Sequence, residues 1–201
     1  GSVGKVIQNV EIRIAENGEL LARGPNVMMG YWNNPQATAA TLEDGWLHTG
    51  DVARIDANGY VFLTGRIKDI VVLANGEKMP PGDIEEAILG DSLFEQVMVV
   101  GEGKAYLSAL LVLNPDRWQA LAREAGIEPA ALASPAAEKL VLERIGERMR
   151  PFPGYAQIRR AALSLEPWSV ENGLLTPTLK VKRVQVLANS ADALGRIYAG
   201  H

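Results

Sequence analysis

The segment TGRIKDIVVLANGEKMPPGDIEE, residues 64–86, decides how the chain is organised. An apolar run at 70–73 precedes the turn signal Asn75-Gly76, and the prolines at 80–81 precede carboxylates at 83, 85 and 86. Asn-Gly between short extended runs indicates a β-hairpin. Proline followed by acidic residues is typical of a helix start, where the helix dipole favours negative charge. The segment therefore predicts a hairpin followed by a helix, between two parts of different composition.

The part before this segment is predicted to be β-structure. Residues 10–14 alternate apolar and polar side chains, the pattern of a half-buried strand. The pairs Asn17-Gly18, Asp44-Gly45 and Asn58-Gly59 are turn signals between short apolar runs. Asn34-Pro35 is expected to start a short helix through residue 41. Many short strands with regular turns predict a small barrel or sandwich, here an incomplete one.

The part after it is predicted to mix strands and helices. Residues 96–100 and 106–113 indicate strands, and the second is apolar on both faces, which favours a central position. Further predicted elements are helices around 118–125, 135–149 and 190–198, a strand at 161–165 and an extended segment at 174–180. The fold class expected from this pattern is α+β.

Composition excludes several function classes. The 201 residues include 20 basic and 24 acidic side chains, and a net charge of −4 argues against a general nucleic-acid binder. There is no cysteine, and the two histidines are far apart, so no metal site is predicted. No apolar run approaches the roughly 20 residues of a membrane helix. The expected compartment is the cytosol, with peripheral membrane attachment left open.

Four positions are candidates for chemistry, and each also has a purely structural interpretation. Asp51, beside Gly50, has a carboxylate suited to two ribose hydroxyls, but it also fits a turn aspartate. Arg66 can reach the same sugar or a phosphate, or form a surface ion pair. Lys68, with Asp69, fits either a hinge or a solvated charge pair.

The fourth candidate is Lys180, in the sequence LLTPTLKVKR. A lysine on an ordered loop can stabilise a developing negative charge, and Lys182 and Arg183 can do the same. The alternative is a basic helix start on the surface. Taken alone, none of the four positions is specific.

Their order and spacing together are specific. The succession TGD, GRIKD, NGE and PTLKVKR resembles the C-terminal third of the adenylate-forming (AMP-binding) superfamily, which contains acyl-CoA synthetases, adenylation domains and luciferases. GELLARGPNVMMGYWNNP, residues 18–35, and DGWLHTGD, residues 44–51, resemble two more motifs of that family. ENGLLTPTLKVKR and PGYAQIRR are most similar to the long-chain fatty acid–CoA ligases. The general family has Ser-Gly before the lysine, where this chain has Thr178-Leu179.

The resemblance implies a role for each candidate. Asp51 matches the residue that binds the ribose hydroxyls, and Arg66 matches a second nucleotide contact. Lys68 matches the hinge about which a small C-terminal domain turns between two half-reactions, although many relatives have Asp there. Lys180 matches the lysine that contacts carboxylate and phosphate during adenylation.

The resemblance also implies a site for coenzyme A. Ala74, Asn75 and Gly76 match the loop that lines the pantetheine tunnel during thioester formation. A small residue suits that position because the backbone must approach the ligand closely.

The resemblance further implies a domain organisation. Residues 1–64 match the end of a large N-terminal domain, as a remnant of its β-barrel subdomain. Residues 65–201 match a mobile C-terminal lid with a short, mainly antiparallel sheet flanked by helices. Gly1-Ser2, in place of an initiating Met, predicts a piece of a longer polypeptide.

The expected activity is that of an ATP-dependent fatty acid–CoA ligase, with fatty acid, ATP (released as AMP) and coenzyme A as partners of the full-length enzyme. The phosphate-binding loop and the glutamate that binds Mg²⁺ are expected in the missing N-terminal domain, so the isolated chain is expected to be inactive. The alternatives are a fatty acyl-AMP ligase, an adenylation domain serving a carrier protein, and a non-catalytic orphan lid module. Retention of Asp51, Arg66 and Lys180 disfavours the last of these.

Overall fold

The computed structural model describes residues 1–199, and the chain divides between Ile70 and Val71 into two units. The sequence predicts the boundary after residue 64. The first unit continues beyond that point because its last strand runs to Arg66 and a 3₁₀ turn, Ile67–Asp69, follows. The identity of each unit within a longer enzyme stays a prediction.

The first unit is an open antiparallel sheet with one short helix. Its elements are β1 (Gly4–Lys5), β2 (Glu11–Ile14), β3 (Glu19–Arg23), α1 (Pro35–Thr41), β4 (Leu42–Glu43), β5 (Trp46–Ile55) and β6 (Tyr60–Arg66). The strand order is β1-β6-β5-β3-β2, and β4 pairs with β5. The predicted helix after Asn34 is confirmed, and the Asn34 side chain caps it by accepting the Ala37 N–H at 3.0 Å.

The second unit is an α+β structure, as predicted. Its strands are β7 (Val71–Val72), β8 (Lys78–Met79), β9 (Phe94–Val100), β10 (Leu107–Leu113) and β11 (Ile158–Ser164). Its helices are α2 (Pro81–Leu89), α3 (Pro115–Glu124), α4 (Pro135–Arg148), α5 (Arg183–Asn189) and α6 (Ala191–Ile197). Strands β7 and β8 form the predicted antiparallel hairpin. Strand β10 lies at the centre of the larger sheet, antiparallel to β9 and parallel to β11.

Alternation along the central strands builds a core on each face of this sheet. All of β10 is buried, because helices or loops cover both faces. Val97, Val99, Ala109 and Leu111 point into a core with helices α2, α3 and α4. The intervening residues pack into a second core with later parts of the chain: Met98, Val100, Leu110, Val112, Trp168, Leu174, Leu175 and Val186. The second core holds the base of the segment that carries Lys180.

Two local expectations are corrected. Asp51, which the sequence also fits to a turn, lies with Thr49 and Gly50 inside the continuous strand β5. Residues 174–180, predicted to be extended, form a hairpin with a tight turn. The basic helix start, given as the alternative interpretation of the segment around Lys180, is present, because α5 begins at Arg183. Among residues 1–199, no helix is long and apolar enough to cross a membrane.

Candidate functional site

Asp51 and Arg66 are brought together by strand pairing. They are direct cross-strand partners in the antiparallel pair β5 and β6. Arg66 Nε lies 3.2 Å from Asp51 Oδ1, with about a quarter of the Asp51 side chain and over half of the Arg66 side chain exposed (28% and 58%). The pair therefore presents a carboxylate and a guanidinium at one accessible point.

A bulge in β5 lies directly before Asp51 and sets the backbone conformation there. Glu19 on β3 pairs with Val52, whereas Leu21 pairs with His48, so β5 has extra residues between these two pairings. Gly50 adopts a φ of +72° within the bulge. A Cβ at this position would lie 3.3 Å from an Arg66 guanidinium nitrogen, so glycine suits both the backbone and the close approach of Arg66.

Glu19 holds this bulge in place, a role that was not predicted from the sequence. Its side chain is nearly buried, and residue Glu19 is only 7% exposed. Glu19 Oε1 accepts the Gly50 N–H at 2.8 Å, and Oε2 lies 2.9 Å from His48 Nδ1. The position of Glu19 in the strand could have indicated this role. Glu19 shares the buried face of β3 with Leu21, and a charge on that face requires partners.

Lys68 lies on the exposed surface of the 3₁₀ turn Ile67–Asp69. The turn comes just before the division of the chain at Ile70 and Val71. A hinge requires a few backbone dihedrals that can change without disrupting a core. The position of Lys68 supports the hinge prediction, which stays a prediction.

The turn Ala74-Asn75-Gly76 is exposed at its tip and fixed at its base. The Gly76 N–H donates to the Leu73 carbonyl at 2.9 Å, and Gly76 has a φ of +86°. The Ala74 N–H donates to the Lys104 carbonyl at 2.8 Å, which ties the turn to the loop between β9 and β10. The turn therefore exposes main chain at its tip while two backbone hydrogen bonds fix its base, and its role in coenzyme A binding stays a prediction.

Lys180 is displayed on a small hairpin. The Leu179 N–H donates to the Thr176 carbonyl at 2.8 Å, the Thr176 N–H to the Lys180 carbonyl at 2.8 Å, and the Lys180 N–H to Thr176 Oγ1 at 3.0 Å. Leu175 and Val181 pair across the hairpin, and Leu175 is buried in the second core. The backbone of Lys180 is therefore ordered, while its side chain is exposed.

Arg183 has a structural role, which separates it from Lys180. Its Nη1 lies 2.8 Å from Glu85 Oε1, and its Nη2 donates to the Val99 carbonyl at 2.6 Å. Glu85 Oε1 also accepts the Val99 N–H at 2.8 Å. This network anchors the start of α5 to α2 and β9, so Arg183 is engaged within the second unit.

The predicted residues thus form two groups. Asp51, Arg66 and Lys68 belong to the first unit, whereas Lys180 and the turn at 74–76 belong to the second. Among residues 1–199, no group of three or more acidic or histidine side chains is placed to hold a metal ion.

Known proteins match this chain in the family that its motifs indicate. The model of the AMP-binding enzyme C-terminal domain family matches residues 68–201, which is more than half of the chain. This chain belongs to that family.

The relatives of this family member include fatty acid–CoA ligases. It is 34% identical to long-chain-fatty-acid–CoA ligase FadD15 of Mycobacterium tuberculosis, over 98% of the chain and 34% of the relative. It is 36% identical to long-chain-fatty-acid–CoA ligase 1 of Cavia porcellus, over 90% of the chain and 27% of that protein. The chain thus spans between 27% and 34% of the length of these relatives.

Solved structures agree on the fold. The adenylation domain of carboxylic acid reductase from Segniliparus rugosus, solved with AMP and a carboxylic acid, has a TM-score of 0.78 at 22% identity. The match covers 99% of this chain and 34% of that one. The amide bond synthetase McbA from Marinactinospora thermotolerans has a TM-score of 0.67 at 25% identity, over 93% and 36% of the two chains.

Proposed function

We propose that this chain is the C-terminal part of an ATP-dependent fatty acid–CoA ligase. The observation that carries the proposal is the Lys180 hairpin, which presents an ordered, exposed lysine at the position where the family's adenylation lysine is expected. The paired Asp51 and Arg66 support it. The names of the relatives supply the substrate class.

In the first half-reaction, a fatty acid carboxylate oxygen attacks the α-phosphorus of ATP, and pyrophosphate leaves. The Lys180 ammonium offsets the negative charge on the carboxylate and on the five-coordinate phosphorus. Asp51 accepts hydrogen bonds from the ribose hydroxyls. Arg66, which pairs with Asp51 through Nε, has its remaining N–H groups for the nucleotide.

In the second half-reaction, the coenzyme A thiol attacks the acyl carbonyl, and AMP leaves. The second unit turns about Lys68 between the two steps, and the turn Ala74-Asn75-Gly76 lines the path of the pantetheine. We assign the phosphate-binding loop and the Mg²⁺ ligands to the part of the parent ligase outside this chain. The chain alone is therefore inactive, and the cytosol is its proposed compartment.

A carrier protein is a second candidate acyl acceptor. The long-chain-fatty-acid–[acyl-carrier-protein] ligase AEE15 of Arabidopsis thaliana is 29% identical over 99% of this chain. Assays with coenzyme A and with a purified carrier protein distinguish the two acceptors, because the acyl thioester forms on the true acceptor. The adenylation step is the same in both cases.

Lys180→Ala in the full-length parent tests the proposal. Because the lost ammonium acts on the charge that develops during adenylation, we expect adenylate formation to fall roughly 100-fold. Thioester formation from supplied acyl-adenylate should change far less. ATP–pyrophosphate exchange and thioester release measure the two steps, and Lys139→Ala, an exposed lysine on α4, is the matched control. Equal losses in both half-reactions would contradict the role of Lys180.

A further inference from the structure

The hairpin that displays Lys180 contains a strained residue. Leu179 has a φ of +60°, in the left-handed region that disfavours a side chain with a Cβ. The Thr176 carbonyl accepts the Leu179 N–H to close the turn, and Lys180 then pairs with Thr176. This arrangement is a turn followed by a one-residue bulge, whose left-handed position is normally occupied by glycine.

The side chain of Leu179 has little to offset that strain within the described residues. Leu179 is 70% exposed, one of the more exposed large apolar residues of the second unit. Val184 and Leu187, on α5, are also exposed apolar residues in the stretch that follows Lys180. Strain that persists next to a functional group is explained when the strained side chain makes a contact elsewhere.

We propose that Leu179 is a positioning residue for Lys180. In the adenylate-forming state, the Leu179 side chain docks the hairpin on an apolar surface of the polypeptide outside this chain. The inference rests on the proposed function, in which Lys180 must meet a carboxylate held by the remainder of the ligase. The relatives are about three times as long as this chain, so that remainder is a large surface. Burial of a leucine side chain there offsets the left-handed strain and orients the neighbouring lysine.

The strain is tested on this chain itself. Leu179→Gly should raise the Tm of the second unit by about 2–4 °C, because glycine adopts the left-handed region without a Cβ clash. Leu179→Ala keeps the Cβ and should not raise it. A Tm of Leu179→Gly at or below that of the wild type would overturn the proposal, since there would be no strain to offset.

The docking role is tested in the full-length parent. At saturating ATP and fatty acid, both Leu179→Gly and Leu179→Ala should slow adenylate formation roughly tenfold, while thioester formation from supplied adenylate is unchanged. Leu179→Met, which keeps an apolar side chain of similar volume, should restore most of the rate. Leu89→Ala, at an exposed leucine at the end of α2, is the matched control and should have no effect.

The other outcomes separate this inference from the proposed function. If Lys180→Ala abolishes adenylation while the Leu179 variants keep the wild-type rate, the docking role fails and the proposed function stands. A higher KM for fatty acid with an unchanged saturating rate also overturns the docking role, because the side chain would then contact the acyl chain. If Lys180→Ala leaves adenylation intact, the assigned lysine itself fails.

Discussion

The Glu19 side chain holds the backbone of a different strand in place. Glu19 uses one carboxylate oxygen for the Gly50 N–H and the other for His48. Gly50 lies in the β5 bulge, between the β5 residues that pair with Leu21 and Glu19, so its N–H is satisfied by a side chain. The position of Asp51 therefore depends on a residue of another strand.

Two replacements of Glu19 should distinguish its hydrogen bond to the Gly50 N–H from the effect of burying a charge. Glu19→Ala leaves the Gly50 N–H without its acceptor, and we expect the first unit to lose about 1–3 kcal/mol of unfolding free energy. Glu19→Gln keeps an oxygen acceptor at the same reach, so its loss should be much smaller. Urea unfolding measures the stability, and amide hydrogen exchange at Gly50 reports the local bond. Equal losses in both variants would contradict this account of the bulge.

At the scale of elements, α6 is attached to the sheet through two tyrosines. The Tyr106 and Tyr198 rings stack with centroids 5.3 Å apart. Tyr106 Oη donates to the Ile197 carbonyl at 2.9 Å, and Tyr198 Oη donates to the Val100 carbonyl at 3.2 Å. Burial raises the pKa of the Tyr198 phenol above its ordinary value. The folded protein therefore favours the neutral form of the Tyr198 phenol.

The raised pKa of Tyr198 predicts a loss of stability in alkali. The unfolded chain releases this proton near pH 10, whereas the folded chain keeps it to higher pH. The contribution of Tyr198 is therefore complete below about pH 10 and declines as the pH rises through the folded pKa. Tyr198→Phe should reduce the pH dependence of Tm above pH 10. An unchanged slope between the two proteins would assign the dependence to other groups.

Elements also differ in how far local sequence decides them. β10 was predicted because an uninterrupted apolar run of strand length favours a central strand. For α5 the sequence indicated only a basic helix start, as the alternative interpretation of the Lys180 segment, because the helix has no side-chain cap and a single buried residue, Val186. Its helix is stabilised by docking on the second core and by the Arg183–Glu85 ion pair, contacts that a local pattern does not contain.

The whole molecule is two units joined at Ile70 and Val71, and the proposed reaction requires the second to turn. The hinge prediction places the change in backbone dihedrals at Lys68. A proline ring at residue 68 would fix φ within the 3₁₀ turn Ile67–Asp69, just before the division of the chain.

Lys68→Pro in the full-length parent tests the hinge. Proline fixes φ at residue 68 and restricts Ile67, so we expect slower thioester formation with adenylate formation largely kept. Lys68→Ala removes the charge without stiffening the backbone and serves as the control. Thioester formation at the wild-type rate in Lys68→Pro would place the hinge elsewhere.

The sequence by itself determined the features that depend on neighbouring residues. The Asn75-Gly76 turn, the Asn34 cap and the buried run of β10 follow from backbone preferences and periodicity within a few residues. The motif order around Asp51, Arg66 and Lys180 also indicated the family, which the match over residues 68–201 confirmed.

Only the tertiary structure decided which distant polar groups meet. Gly50 donates to Glu19 across 31 positions of sequence, and Arg183 reaches Glu85 across 98. The left-handed backbone of Leu179 likewise follows from closing the Lys180 hairpin. Such features depend on which strands pair, where a bulge falls and which core covers a segment. The free energy of the whole fold decides these arrangements, and no local preference specifies them.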